Sequence, residues 1–409
     1  MPSKAAMQAM QKITAGPEPL PEEKRMELLE KSMAKYTEES KKSTVFDKDV
    51  SDLVARFEEG ELVMGKKLGS GGFCDVFQID ELKLDSKGSD AHEDKFRDKI
   101  EEYHTRGWMS KTCMRNGSAR YAVKLLSKKS MADEFLYEQG ITDLAMEANF
   151  LAVIQHSNII KVRGFRLGNF CQDGMFIMMD RLYETLDKAI VKWREQNKKY
   201  TGLVAGLKGG KEKAQELHTD RLQYGYDLAS AFEHLHEKKI IYRDLKPENI
   251  GFDVRGDVKI FDFGLAKQLN DPNEDGTYNL TGYCGSPMYM APEVIKCIPY
   301  NEKADVYSFT IQFWEMIALS RPYKKLAKVS ASMIEKMVSE KNHRPEIDPK
   351  WAPAVKSVLE QGWAPSSKDR PSFTEMKKLI YDCVLDAGGD EELNTSIDKS
   401  GRSFRNLKI

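Results

Sequence analysis

Apolar and polar positions change rhythm several times along this chain. From Glu22 to Lys41 the residues are polar and charged with a helical spacing, after a start interrupted by Pro17, Pro19 and Pro21. The spacing predicts a partly helical or disordered extension over residues 1–55. The rhythm shifts at Glu61. Leu62-Val63-Met64-Gly65 and Asp75-Val76-Phe77-Gln78-Ile79 predict two short strands around a Gly-rich turn. Residues 83–117 are strongly charged and read as an insertion, after which Tyr121-Ala122-Val123-Lys124-Leu125-Leu126 resumes as a strand. Tyr137 to Gln155 carries Leu144, Leu151 and Ile154 on one side, which predicts a helix. Phe176-Ile177-Met178-Met179 reads as a buried strand.

Helical periods dominate from there. They predict helices over Arg221–Lys238, Ala304–Ala318, Val329–Val338 and Phe373–Asp386. A second insertion, residues 195–218, holds Gly202, Gly206, Gly209 and Gly210 and predicts a mobile loop. The tail, residues 387–409, is polar. Strands first and helices later predict an α+β chain with segregated lobes.

Composition narrows the class. With 409 residues, 41% of them hydrophobic, the chain can fill two lobes with a core. Charged residues make up 31%, yet the formal net charge is -1, so nothing favours nucleic acid or an anionic membrane as a partner. Cys74, Cys113, Cys171, Cys284, Cys297 and Cys383 are scattered, as reduced thiols of the cytosol or nucleus are. Met1-Pro2-Ser3-Lys4 opens no apolar leader, and no apolar run reaches the roughly 20 residues that a membrane span takes. A cytoplasmic protein is the expectation.

Three stretches carry chemistry. Leu68-Gly69-Ser70-Gly71-Gly72-Phe73-Cys74-Asp75-Val76 is Gly-rich between two strands, so its backbone amides can approach a polyphosphate. Alone it fits a plain hairpin turn better; no Gly-Lys-Ser/Thr follows, and a strand rather than a helix comes next. Lys124 lies in a strand, and a Glu-bearing helix follows it. Glu147 can pair with its ammonium and orient it toward phosphates, with Glu134 and Glu138 as rivals. Glu147 is preferred because apolar residues surround it, where an unpaired carboxylate would be costly. Finally, Tyr242-Arg243-Asp244-Leu245-Lys246-Pro247-Glu248-Asn249 precedes Val258-Lys259-Ile260-Phe261-Asp262-Phe263-Gly264. Phosphoryl transfer to a hydroxyl needs a carboxylate near the acceptor proton and hard oxygens for Mg²⁺. Asp244 can take the first role, Asn249 and Asp262 the second, and Lys246 can neutralise charge on the transferring group.

These motifs, in this order and spacing, make residues 61 to about 385 resemble a eukaryotic protein kinase of the serine/threonine type. The resemblance implies a two-lobed protein kinase fold spanning residues 56–386, with a β-rich N-lobe (about 56–179) and a helical C-lobe (about 183–386). It implies that Leu68, Gly69, Ser70, Gly71, Gly72, Val76 and Ala122 cover ATP, with Met179 as gatekeeper and backbone of Asp180 and Leu182 facing adenine. Lys124 would pair with Glu147, Asp244 would act as the base with Lys246 beside it, and Asn249 and Asp262 would hold Mg²⁺. Glu293 of Ala291-Pro292-Glu293 would pair with Arg370, and Asp305 would anchor the catalytic loop. The run Glu147-Ala148-Asn149 and the hinge resemble the tyrosine-kinase-like group of serine/threonine kinases.

Three positions depart from the family pattern. Cys74 replaces a glycine, and Tyr242 replaces a histidine that packs behind the Phe of Asp-Phe-Gly. Gly251 replaces a leucine that floors the adenine site, which either widens the pocket or leaves Leu182 and its neighbours to compensate. Lys246 two residues after Asp244 implies a serine/threonine protein substrate, and Ser286 is expected to bond Asp244 or Lys246. Arg243 implies control by activation-loop phosphorylation through an upstream kinase. Thr277, Tyr278, Thr281 and Tyr283 are the candidates, Thr281 the favoured one. Two other classes compete: a pseudokinase scaffold that binds nucleotide or partners without transfer, and a small-molecule kinase. Intact Lys124, Asp244, Asn249 and Asp262 count against the first, and Ala-Pro-Glu with Arg370 against the second.

Overall fold

A computed structural model describes residues 17–84, 100–202, 209–326 and 329–389. The chain divides into two compact units, one comprising residues up to Gln155 with Ile160–Arg181, the other His156–Ile159 with everything from Leu182 onward. The first 16 residues of the partly helical or disordered extension and the polar tail from residue 390 lie outside the described residues.

The first unit opens with helix α1 (Glu22–Lys42). Pro21 precedes it, acids fill its first turn and lysines its last, which matches the helix dipole at both ends. Among the described residues a six-stranded sheet follows. Its strands are β1 (Arg56–Phe57), β2 (Leu62–Ser70), β3 (Cys74–Leu82), β4 (Tyr121–Leu126), β5 (Val162–Arg166) and β6 (Phe176–Asp180), in the order β1-β5-β6-β4-β3-β2. All neighbours are antiparallel except β1 and β5.

Strand alternation sorts β4 into two faces. Tyr121 and Val123 join Phe57, Ile79, Phe176 and Met178 in an apolar core. Met109 of helix α2 (Ile100–Lys111) and Cys113 pack into the same core. The described part of the charged insertion is therefore a cover for the sheet, pinned by Ser110 Oγ donating to Leu82 O at 2.6 Å. Residues 85–99 of it lie outside the described residues. Ala122 and Lys124 point to the opposite face, toward helix α3 (Glu134–Val153).

The second unit holds helices α4 (Leu186–Thr201), α5 (Gly210–Glu237), α6 (Lys303–Ala318), α7 (Ala331–Lys341), α8 (Pro353–Gly362) and α9 (Phe373–Asp386). Residues 195–218 are not the loop that their glycines suggest. Helix α4 runs on to Thr201 and α5 begins at Gly210, leaving 203–208 outside the described residues. The glycines all fall between positions 202 and 210, Gly209 has φ 66°, and Lys211 to Glu216 are strong helix formers. Helix α6 is buried from Ala304 to Ile317, which explains its nearly continuous apolar run. Helix α9 packs on α5 through Phe373 and Phe232, whose rings stack at 5.0 Å. Small strands complete the unit: β7 (Glu184–Thr185), β9 (Ile250–Phe252) and β10 (Val258–Ile260) in one antiparallel ribbon, β8 (Ile240–Ile241) and β11 (Lys267–Gln268) in another. Among the described residues no helix is long and apolar enough to cross a membrane.

Candidate active site

Residues of the expected chemistry lie in both units. In the first, β2 and β3 form a hairpin with Gly69 opposite Val76 and Ser70 opposite Asp75, closed by Gly71 N–H on Cys74 O at 2.7 Å. A Cβ at Gly69 or Gly72 would meet nothing, and neither residue sits in the left-handed region. The hairpin itself therefore does not demand glycine there. Bare backbone at those positions fits close approach by a phosphate.

Lys124 lies between Val76 on β3 and Ile177 on β6. Its Nζ donates to Glu147 Oε2 at 2.5 Å, and Glu147 is buried. The rival carboxylates are engaged elsewhere, Glu134 with Lys24 at 3.2 Å and Glu138 with Lys35. Helical geometry separates them: at about 100° per residue, Glu138 lies about 180° from Glu147 and Glu134 about 140° from it. Ala122 and Met179 are buried register partners. Asp180 is tied through both its side chain and its N–H. Its carboxylate takes both forks of Arg163 at 2.7 and 2.8 Å, and its N–H donates to Lys161 O at 3.0 Å. No amide donor of Asp180 is left for adenine.

In the second unit Asp305 organises the catalytic loop. Its two carboxylate oxygens each accept at 2.8 Å, from Tyr242 N–H and Arg243 N–H, and His236 Nε2 lies 3.0 Å from Oδ2. Arg243 is held at φ 69°, a strained conformation for a side-chain-bearing residue. Tyr242 is fully buried with its ring edge-on to Phe263 at 5.3 Å, and its hydroxyl donates to Phe261 O at 2.5 Å. The aromatic thus fills the packing post and satisfies its polar end. Gly251 is small because Leu182 occupies the space: a Cβ there would lie 2.8 Å from Leu182 Cδ1 and 3.2 Å from Glu184 O.

Asp244 is the centre of a converging set. Lys246 Nζ at 2.7 Å and Asn249 Nδ2 at 2.9 Å reach Oδ2, and Ser286 Oγ at 2.8 Å reaches Oδ1. Asn249 also donates to Asp244 O at 3.0 Å, which turns its amide oxygen, not its NH₂, toward any cation. Asp262, at φ 67°, supplies a carboxylate in the adjoining turn. Hard oxygens of this kind fit Mg²⁺. Farther along, Arg370 grips Glu293 with both guanidinium nitrogens at 2.6 and 2.9 Å in a buried fork. Sequence reasoning does not single out Arg163 or His236; neither carries a motif, and only strand register and the packing of α5 bring them to their partners.

Across residues 105–381 the chain matches the family model for the protein kinase domain. It is 29% identical to the serine/threonine-protein kinase STY17 of Arabidopsis thaliana over 293 residues, 71% of this chain and 45% of that protein. It is 34% identical to the dual specificity protein kinase shkB of Dictyostelium discoideum over 206 residues, 50% of this chain and 30% of that one. The serine/threonine-protein kinase STY46 of Arabidopsis thaliana is 33% identical over 184 residues, 44% of this chain and 31% of its own length. The chain spans less than half the length of each of these relatives.

Proposed function

The chain belongs to the protein kinase family, whose members use ATP and Mg²⁺, and on that premise we propose that it phosphorylates serine and threonine hydroxyls of proteins. The observation that carries this reading is the convergence of Lys246, Asn249 and Ser286 on the Asp244 carboxylate. Three donors fix the carboxylate in orientation: two fill Oδ2, and Oδ1, with Ser286 alone on it, keeps an accepting lone pair for a substrate hydroxyl. Asp244 then aligns the hydroxyl and takes its proton. Lys246 offers positive charge where the phosphoryl group develops negative charge. Asn249 and Asp262 would hold Mg²⁺, which when bound neutralises charge on the phosphates.

On the nucleotide side, Leu68, Gly69, Ser70, Gly71, Gly72, Val76 and Ala122 are assigned to ATP, with Met179, the Asp180 carbonyl and Leu182 toward the base. Lys124, steadied by Glu147, is assigned to the phosphates. Domain limits of about 56–386 follow from the same reading. Control is assigned to the activation segment, where a phosphate placed by an upstream kinase would act on Arg243 of the 242–249 loop.

Transfer of labelled γ-phosphate to a generic protein substrate tests the proposal. Wild type is expected to label serine and threonine, and Asp244→Asn to lose at least about a thousandfold, the scale of a removed catalytic group. Transfer that survives Asp244→Asn would take the base role away from Asp244, and a wild type inert after activation would leave the pseudokinase reading standing. Phosphotyrosine in the product would move the chain to the dual-specificity class that the name of one relative carries.

A further inference from the structure

Nine consecutive residues of α3, Leu144 to Ala152, are buried, so no side of that stretch faces solvent. A helix lying on one sheet would leave an outer face wet. What covers α3 is α1. Ser32 Oγ donates to Glu138 O at 3.1 Å, Lys24 pairs with Glu134 at 3.2 Å, and Lys35 pairs with Glu138. Asn149 Nδ2 donates to Tyr36 Oη at 2.5 Å, and Asn149 is itself buried. Leu28 and Leu29 are buried at the helical positions between these contacts. Just beyond α1, Phe46 meets the ring of Phe150 edge-on at 4.9 Å.

The contacts of α1 with Glu134, Glu138 and Asn149 share one side of α3. At about 100° per residue, Glu138 and Asn149 lie about 20° apart, while Glu147 lies on the far side. The helix is thus held from behind by α1 and from the front by the Glu147–Lys124 pair. The grip spans Glu134 to Phe150 and brackets Glu147 in sequence. A shift or roll of α3 that would withdraw Glu147 must break contacts with α1 as well.

We infer that α1 is a built-in positioning element for Glu147, acting through Tyr36, Lys35 and the buried pair Leu28 and Leu29 to keep α3 in the rotation that the Lys124 ion pair needs. The inference rests on the proposed role of Lys124 in phosphate binding. None of these α1 residues touches the reacting atoms.

Full-length variants test it. Leu28→Asp with Leu29→Asp should lift α1 off. Amide exchange over 134–153 should then quicken while α6 and α9 exchange as before, and kcat/KM for ATP should fall about tenfold, the scale of coupling between distinct sites. Tyr36→Phe removes one hydroxyl and should give a smaller change of the same kind. Lys35→Glu and Glu138→Lys should each lower kcat/KM about twofold, as half-exposed pairs do, and the double exchange should restore it. Rescue separates positioning from loss of fold. Faster exchange with unchanged kcat/KM, or no rescue by the exchanged pair, overturns the inference while leaving the kinase reading intact. Should wild type transfer no phosphate, that reading fails instead, and exchange over 134–153 together with ATP affinity decides the inference by the same comparison.

Discussion

Single residues in the second unit show what the fold asks of each position. Gly251 was open to two readings from sequence, and Leu182 decides between them by filling the vacated space. Gly251→Leu should therefore overfill it, cost roughly 1–3 kcal/mol and raise KM for ATP. Adding Leu182→Ala should recover much of both; thermal unfolding and ATP kinetics measure the recovery. Glu315 makes a second case. It is buried, accepts from Tyr289 at 2.6 Å, and burial pushes its carboxyl up to about 7. The folded state then holds a proton that the unfolded chain has released, so stability falls as pH rises from about 4.5 through about 7. Glu315→Gln removes that dependence. Its melting temperature should gain on wild type between pH 5 and pH 8, and a constant difference across that range would refute the sign. The candidate catalytic residues themselves were legible as motif members, because the chemistry proposed for them is tied to residue type. Side-chain partners such as Glu147 and Ser286 were legible as well, but backbone partners were not: Phe261 accepts the Tyr242 hydroxyl through a carbonyl, which no side-chain pattern announces.

At the scale of elements, periodicity located most pieces and missed those whose signal was diluted. Helix α9 begins at Phe373 as its pattern says, because Ser372 and Glu375 form a capping box. Ser372→Ala should remove one of its two reciprocal bonds at a cost of about 1 kcal/mol, seen as a drop of about 2–4 °C in melting temperature. An unchanged melting curve would mean that packing on α5 alone sets this terminus. Helix α8 escaped notice; it is a short helix begun by Pro353. The 195–218 stretch misled because glycine count was weighed above glycine position. Within α3, helical angles alone set Glu134 and Glu138 on the side away from Glu147, and the contacts with α1 show that this side faces away from Lys124.

For the whole chain, strands before helices implied segregated units, and two compact units result. The linkage of α1 to the first unit was not legible: its residues are polar at the surface, and the contacts that bind it depend on a helix more than a hundred residues away. The proposed control belongs to this larger scale too, because one arginine ties the 242–249 loop to distant segments. Arg243 Nε donates to Leu265 O at 2.7 Å, and Nη1 reaches the Tyr300 hydroxyl at 3.4 Å. Tyr300 in turn donates to Thr281 O at 2.8 Å. The Thr277 hydroxyl bonds Asp275, and the Tyr283 hydroxyl bonds Glu335. Thr281 is exposed, and among the described residues its hydroxyl has no partner. A phosphate there would add about -1.5 to -2 charges two contacts from the guanidinium. Thr281→Ala should lower turnover of the activated enzyme by at least about tenfold, since even one charge-assisted hydrogen bond is worth about 1.5–3 kcal/mol. If phosphate acts through Arg243, adding Thr281→Ala to Arg243→Ala should cost nothing more. Equal turnover by wild type and Thr281→Ala, with wild type phosphorylated at that residue, would remove Thr281 from the switch and return the choice to Thr277, Tyr278 and Tyr283.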